Sequence, residues 1–139
     1  MEVKVKKLHK DAVIPQYSHC GDAGMDLTAT DMYFENGNVV YRTGLAFEIP
    51  EGYVGLVFPR SSNAKKDLIL TNSVGVIDSG YRGEVLAKFK PINSCKEFYQ
   101  VGDRICQLII LPYPTIELTE VEELSDTERG SGGYGSTGK

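Results

Sequence analysis

Residues 39–58 read VVYRTGLAFEIPEGYVGLVF and contain two β-rich runs separated by the turn signal Pro50-Glu51-Gly52. Valine, aromatic and leucine side chains dominate both runs, which is typical of strands packed on a core. Similar runs occur on either side: VKVKKL at 3–8, EVLAKFKPI at 84–92, RICQLIIL at 104–111 and TIELTEV at 115–121. Many short runs with turn signals between them predict an all-β sandwich or barrel.

The length and composition predict one domain followed by an arm. A chain of 139 residues, 41% of them hydrophobic, suits a single domain with a real core. The only helix candidate of note is SSNAKKD at 61–67. Apolar content almost vanishes from Ser125 onward, and five of the 15 glycines lie in 129–139. We therefore expect residues 1–124 to form the domain and residues 125–139 a flexible, glycine-rich arm.

Charge and cysteine usage narrow the class of partner. Residues 117–128 hold six of the 19 acidic and none of the 15 basic residues, which leaves 15 basic against 13 acidic elsewhere. This balance does not indicate a nucleic-acid partner, although it suits a small anion held by a few groups. No run approaches the roughly 20 apolar residues of a membrane span. Three widely spaced cysteines and an N-terminus without an apolar stretch indicate a cytoplasmic protein with no membrane partner.

Polar side chains beside glycines interrupt several of the apolar stretches. The segments are Ala23-Gly24-Met25-Asp26-Leu27, Pro59-Arg60-Ser61-Ser62, GVIDSGYRG at 75–83, GDRICQL at 102–108 and the tail RGSGGYGSTGK at 129–139. Each segment alone is compatible with an ordinary turn. Together they supply arginines, hydroxyls, an amide, acids and backbone donors, which suits a polyphosphate with a divalent cation.

In this order, the five segments resemble the five motifs of the homotrimeric deoxyuridine triphosphate diphosphatases (dUTPases). The resemblance runs from about Ala12 to Lys139, and GVIDSGYRGEV and RGSGGYGSTG are its most specific parts. It implies a single-domain jelly-roll of the β-clip type and a homotrimer with active sites shared between subunits. It also implies hydrolysis of dUTP to dUMP and pyrophosphate with Mg²⁺, which keeps uracil out of DNA and supplies dUMP for thymidylate synthesis.

The resemblance assigns roles around the nucleoside. Asp78 matches the carboxylate that activates the attacking water and meets the sugar 3′-hydroxyl. Tyr81 matches the ring that packs under the deoxyribose and leaves no room for a 2′-hydroxyl. Asn72 matches the start of the hairpin that reads the uracil edge, in which Gly75 also lies.

Further roles follow for the phosphates and the metal. Asp26 resembles the acid that holds Mg²⁺ through bound water, a contact in keeping with the reluctant dehydration of this ion. The remaining matches are phosphate or base contacts, and they are Arg60, Ser61, Ser62, Gln107, Arg129, Tyr134, Gly135, Ser136 and Thr137. Most relatives have Phe where this chain has Tyr134 and Gly where it has Ser62.

Two other groups in the fourth segment have structural interpretations. Asp103 and Arg104 match the motif, but an Asp–Arg pair that stabilises the entrance of the strand explains them equally well, and we favour that interpretation. Cys106 is expected to be a small core residue rather than a nucleophile.

Two rival functions are weighed against the dUTPase assignment. The related dCTP deaminases share the fold and a similar IDxGYxG segment, but their general base is a glutamate five residues after the glycine that corresponds to Gly83. Lys88 stands there, and an ammonium group cannot accept the proton. The other rival is a non-catalytic nucleotide-binding or jelly-roll assembly protein, which the acids Asp26 and Asp78 disfavour.

Overall fold

The computed structural model describes residues 1–92 and 97–135, and nearly all of its regular structure is β-strand. The strands are β1 (Lys4–Lys7), β2 (Met25–Thr28), β3 (Asp31–Glu35), β4 (Asn38–Arg42), β5 (Leu45–Glu48), β6 (Tyr53–Pro59), β7 (Leu68–Leu70), β8 (Gly75–Ile77), β9 (Leu86–Pro91) and β10 (Arg104–Pro112). A 3₁₀ helix covers Ser61–Lys65, within the stretch for which a short helix was predicted. The described residues contain no helix that is long and apolar enough to cross a membrane.

The strands form three antiparallel sheets. A four-stranded sheet has the order β2-β10-β6-β8, a second has the order β3-β4-β9-β7, and β1 pairs with β5. Buried side chains from both four-stranded sheets belong to one cluster, which also includes residues of β5. The two sheets therefore enclose a common core, and the all-β prediction is confirmed.

Local sequence explains why particular strands face the core as they do. In β9, Ala87 and Phe89 are buried while Lys88 and Lys90 are exposed, as expected for a strand with one solvated face. In β4, Val39, Val40 and Tyr41 are all buried, so both faces of this strand are covered.

One predicted strand is wrong. The stretch TIELTEV at 115–121 is a β-rich run, but the structure has no strand there. Its apolar side chains, Ile116, Leu118 and Val121, are exposed. A strand needs a neighbouring edge to satisfy its backbone, and none of the described residues supplies one to this stretch. The last strand ends at Pro112, and residues 113–124 follow it without regular structure.

Candidate active site

The first group of candidate residues surrounds Asp26 on β2. The Asp26 carboxylate accepts from Arg60 Nε at 2.8 Å, and Arg104 Nη1 lies 3.1 Å from its other oxygen. The side chain of Asp26 is only 22% exposed. A carboxylate that is largely shielded from water needs such cationic partners, and two guanidinium groups supply them.

The expected pairing of Arg104 with Asp103 is not observed, because Arg104 pairs with Asp26 instead. The Asp103 carboxylate accepts from the backbone N–H of Gln100 at 2.7 Å and so closes the turn before β10. The two side chains therefore do different things: Asp103 stabilises the strand entrance, whereas Arg104 belongs to the charged cluster around Asp26. Sequence adjacency suggested the wrong partner, since the correct one lies on a neighbouring strand.

Arg60 is fixed in place by several acceptors. Its Nη1 donates at 3.3 Å both to Ser62 Oγ and to the backbone oxygen of Arg104. Ser61 and Ser62 begin the 3₁₀ helix and are exposed. A hydroxyl at position 62 thus contacts the predicted phosphate-binding arginine, which a glycine could not do.

The buried side chain of Tyr99 anchors the 3₁₀ helix. Tyr99 Oη donates to Asn63 Oδ1 at 3.1 Å, and Asn63 Nδ2 donates to the backbone oxygen of Leu68 at 2.8 Å. Burial raises the pKa of the Tyr99 hydroxyl, so this donor stays protonated at neutral pH.

Gln107 and Gly24 meet beside the same cluster. Gln107 is the register partner of Asp26, and its Nε2 donates to the backbone oxygen of Pro59 at 3.0 Å. A Cβ atom on Gly24 would lie 2.6 Å from Gln107 Oε1, so the glycine leaves the amide the space it occupies. Five predicted residues, Asp26, Arg60, Ser61, Ser62 and Gln107, thus come together at one end of the neighbouring strands β2, β10 and β6.

The second group lines a pocket of about 240 Å³ next to β8. Asn72, Gly75, Asp78 and Tyr81 all contribute to its wall, together with Glu84 and apolar side chains of the core. Ser73 turns the chain with a φ of 61°, and Gly75 then pairs with Val57 of β6. Asn72 and the third-segment residues Gly75, Asp78 and Tyr81, which were predicted to contact the base and the sugar and to activate water, therefore share one concave site.

Asp78 of the second group lies far from Arg60 of the first group within one chain. β2 and β8 are opposite edges of a four-stranded sheet, separated by β10 and β6. The antiparallel pairing sets Ile77 opposite Gly55, near the start of β6, whereas Arg60 follows its end. At about 3.3 Å per residue, the backbones of Asp78 and Arg60 are roughly 20 Å apart along the strand direction. The structure does not bring these two residues together.

The hydrogen bonds of the described arm residues are with residues of the same stretch and not with either group. Arg129 Nε donates to the backbone oxygen of Gly132 at 3.0 Å, and Tyr134 is fully exposed. Gly135 has a φ of 88°, a conformation that favours glycine. Ser136 and Thr137 lie outside the described residues.

The described residues contain no cluster of three or more His, Cys, Asp or Glu side chains that could hold a metal ion. The donor set nevertheless suits Mg²⁺ in one respect, because this ion is commonly bound by one or two carboxylates together with waters and substrate phosphates. Asp26 is the acid that fits this pattern. Cys106 offers no ligand, since it is buried and desolvation raises its pKa to about 12.

Sequence reasoning missed two groups near the pocket. Glu84 lines its wall, and Tyr81 Oη donates to the Glu84 backbone oxygen at 3.0 Å. Gly83 lies directly against the phenol end of the Tyr81 side chain. The sequence offered one signal, an acid, Glu84, directly after Gly83. It did not show the partner of Glu84, because Arg42 is 42 residues away.

Comparison with known proteins identifies the family of the chain. The dUTPase family model matches residues 10–138. The chain is 46% identical to the deoxyuridine 5′-triphosphate nucleotidohydrolase of Nautilia profundicola, with full coverage of both chains, and 44% identical to that of Corynebacterium glutamicum, with 99% and 95% coverage.

Solved structures give the same result. The dUTPase of Staphylococcus bacteriophage 80alpha with dUPNHPP superposes with a TM-score of 0.84 at 34% identity and 99% coverage of each chain. A mutant dUTPase of phage phi11 of S. aureus, which has a structural Mg(II) ion, matches with a TM-score of 0.74 at 30% identity, covering 88% of this chain and 98% of that one. Agreement of motifs, fold and near-complete sequence coverage has one consequence: the chain belongs to the dUTPase family.

Proposed function

We propose that the protein hydrolyses dUTP to dUMP and pyrophosphate, which keeps uracil out of DNA and supplies dUMP for thymidylate synthesis. The observation that carries the proposal is the pocket beside β8, in which Asn72, Asp78 and Tyr81 line one cavity of a chain that belongs to the dUTPase family. Relatives of the same length carry the corresponding name, and a phage relative is solved with dUPNHPP.

The pocket suits a deoxyuridine moiety. Asn72 and the backbone around Gly75 read the uracil edge, and donors placed for uracil reject cytosine because its donor and acceptor pattern differs. The Tyr81 ring packs under the sugar and leaves no space for a 2′-hydroxyl. Asp78 is exposed to solvent at the rim, where its carboxylate accepts a proton from the attacking water.

The cluster around Asp26 receives the triphosphate. Arg60 provides charge for the phosphate oxygens, while Ser61, Ser62 and the Gln107 amide supply hydrogen bonds. Mg²⁺, held through water by Asp26, would neutralise phosphate charge and make the phosphorus more electrophilic. The residues Arg129, Tyr134, Gly135, Ser136 and Thr137 of the arm then close over the bound nucleotide, with Tyr134 stacked on the base and Arg129 on the γ-phosphate.

We also propose that the active protein is a homotrimer with shared active sites. Within a chain, the backbones of Asp78 and Arg60 are roughly 20 Å apart along the strand direction, as estimated from the strand rise, so a single-chain site would need the nucleotide and the two side chains to span that distance. Complementary halves from two subunits remove this difficulty. The exposed apolar side chains Ile116, Leu118 and Leu124 also favour burial against another subunit.

The deaminase alternative finds little support around Lys88. Its ammonium lies 2.8 Å from Glu35 Oε2, and this hydrogen bond raises the pKa of Lys88. The group therefore remains protonated and cannot serve as the general base that deamination requires.

The proposal is tested by measuring pyrophosphate release from dUTP with Mg²⁺ and with a chelator in its place. Asp78→Asn keeps the shape of the side chain but removes the base, so we expect turnover to fall about 10²–10⁴-fold while dUTP analogue binding persists. Asp22→Asn, an exposed acid outside the site, is the matched control and should retain full turnover. Ammonia released from dCTP would favour deamination. Binding of dUTP without pyrophosphate release would favour the non-catalytic alternative.

A further inference from the structure

The ring of Tyr81 lies directly against the backbone of Gly83. A Cβ atom built on Gly83 would be 2.5 Å from Tyr81 Cζ and 2.9 Å from Cε2, and it would also overlap the hydroxyl. Carbon atoms in folded proteins do not approach so closely. Gly83 does not have a positive φ, so residues other than glycine could adopt its backbone conformation. Glycine is needed at this position for space and not for conformation.

The hydroxyl of Tyr81 is held at the same place by a fixed acceptor, the Glu84 backbone oxygen at 3.0 Å. The Glu84 carboxylate binds Arg42 through Nε at 2.9 Å and through Nη2, and it accepts from the Gly44 N–H at 2.8 Å. This side chain is only 12% exposed. The acceptor is therefore tied to the turn between β4 and β5, which does not belong to the catalytic loop.

The next residue strengthens the anchor. The Val85 N–H donates to the Leu45 backbone oxygen at 2.9 Å, and the buried Thr43 Oγ1 donates to the Val85 backbone oxygen at 2.7 Å. At the other end of the loop, the Tyr81 N–H donates to the Asp78 backbone oxygen at 3.0 Å. Tyr81 is thus held between the Cα of Gly83, the backbone carbonyl of Glu84 and the backbone of Asp78, the residue predicted to activate water.

We propose that Gly83 is a specificity-determining residue: by leaving space for the phenol end of Tyr81, it allows the ring to take the position that admits a deoxyribose and excludes a ribose. Glu84 acts with it as a positioning residue, because it holds the acceptor of the Tyr81 hydroxyl. The inference rests on the proposed function, in which Tyr81 packs under the sugar. Tyr81 is 44% exposed and lines the pocket beside β8, so it is accessible to a ligand there.

The test compares kcat/KM for dUTP and UTP in the unaltered protein, in Gly83→Ala and in Gly80→Ala. Gly80 lies in the same loop, has no heavy atom within 4 Å of an added Cβ and no positive φ, so Gly80→Ala is a matched control. We expect Gly83→Ala to lower the preference for dUTP over UTP by about tenfold to a hundredfold, because an added hydroxyl is poorly rejected without a close steric wall. Gly80→Ala should leave the preference unchanged.

A double-variant cycle asks whether Gly83 acts through Tyr81. If it does, the double variant Tyr81→Ala/Gly83→Ala has the same preference for dUTP over UTP as Tyr81→Ala alone. The same further drop in both backgrounds would overturn the inference, as would a folded Gly83→Ala protein with the original preference. Tyr81→Phe removes the hydrogen bond to the Glu84 backbone oxygen but keeps the ring, and an unchanged preference in that variant would overturn the positioning role of Glu84.

Failure of the proposed function has a different signature. An unaltered protein that cleaves UTP as readily as dUTP, or neither, contradicts the assignment of Tyr81 before any variant is made. A discriminating protein that is insensitive to Gly83→Ala contradicts only the inference about Gly83.

Discussion

The thiol of Cys106 lies in the core between the charged cluster around Asp26 and the hydrophobic residues of the sheet. It is fully buried, and desolvation raises its pKa to about 12, with the Asp26 carboxylate adding to the rise and Arg60 opposing it. A thiol with a raised pKa remains protonated, so Cys106 is a core residue, as the sequence predicted, and not a nucleophile.

This burial predicts a loss of stability at alkaline pH. Because the folded pKa is above the ordinary value of 9.0, the contribution is fully present below pH 9 and declines between pH 9 and about 12 as the unfolded chain loses the proton. Between pH 8 and pH 10 we expect the unaltered protein to lose about 1.4 kcal/mol of unfolding free energy more than Cys106→Ala loses.

Urea unfolding at both pH values and one protein concentration measures the difference. Parallel losses in the two proteins would contradict the burial of a protonated thiol. Tyr99 has a pKa raised in the same direction, but it is present in both proteins and cancels in the comparison.

The sequence predicted which residues belong to the site better than it predicted which residues they contact. The sequence indicated that Asp26, Arg60 and Gln107 belong together, and they do. It did not indicate that Arg104 pairs with Asp26, because that contact depends on the register of β10 against β2. Gly83 and Glu84 were missed for the same reason, since their roles come from a ring and a guanidinium that fold onto them.

At the scale of the strand, β-rich runs formed strands only where a partner strand exists. The predicted runs at 39–58, 84–92 and 104–111 all contain strands, whereas the run at 115–121 does not. The short strands β7 and β8 have three residues each, which is too few for a pattern to distinguish them from a turn. The family and the all-β class, by contrast, followed from the motifs and the turn spacing, and both are confirmed.

The arm gives a prediction about an element without regular structure. A chain truncated after Glu128 should fold normally, because the removed residues include no buried side chain among those described. Its turnover of dUTP should fall by at least about a hundredfold, since the closing contacts and the exclusion of water are lost. Initial rates and the denaturation curve of the truncated chain measure both effects.

Two further measurements sharpen this prediction. Tyr134→Phe keeps a ring for stacking and should retain activity, whereas Tyr134→Ala should lose most of it. Protease should cleave the arm quickly in the free protein and slowly with a non-hydrolysable dUTP analogue and Mg²⁺. Full turnover by the truncated chain would mean that the arm is an ordinary tail.

For the whole molecule, the sheet order decides how an active site is assembled. Residues predicted to act together are separated within the sheet β2-β10-β6-β8: Asp26 lies on one edge strand and Asp78 follows the other, and Asp78 and Arg60 lie toward opposite ends of neighbouring strands. Sequence alone could not show this division, because strand order is set by packing between distant parts of the chain. A closed ring of identical subunits, each contributing one half of a site to its neighbour, would bring the two halves together.

Subunit mixing tests this arrangement. We expect light scattering to give three times the chain mass of 15.3 kDa, and we expect Asp78→Asn and Arg60→Gln to be nearly inactive when each is alone. If one subunit supplies Asp78 and its neighbour Arg60, every mixed ring of three contains one site with both residues intact. Random assembly from equal amounts then restores about a quarter of the unaltered activity, because about three quarters of the rings are mixed and each has one working site of three.

The recovery must depend on subunit exchange. Refolding the two variants together should restore activity, whereas combining them after separate refolding should restore none until the rings exchange subunits. If both residues served one nucleotide within a single chain, no mixture would recover turnover, because every chain carries one defect. Continued inactivity of verified mixed trimers would therefore refute the shared site, and an active monomer by light scattering would refute the trimer itself.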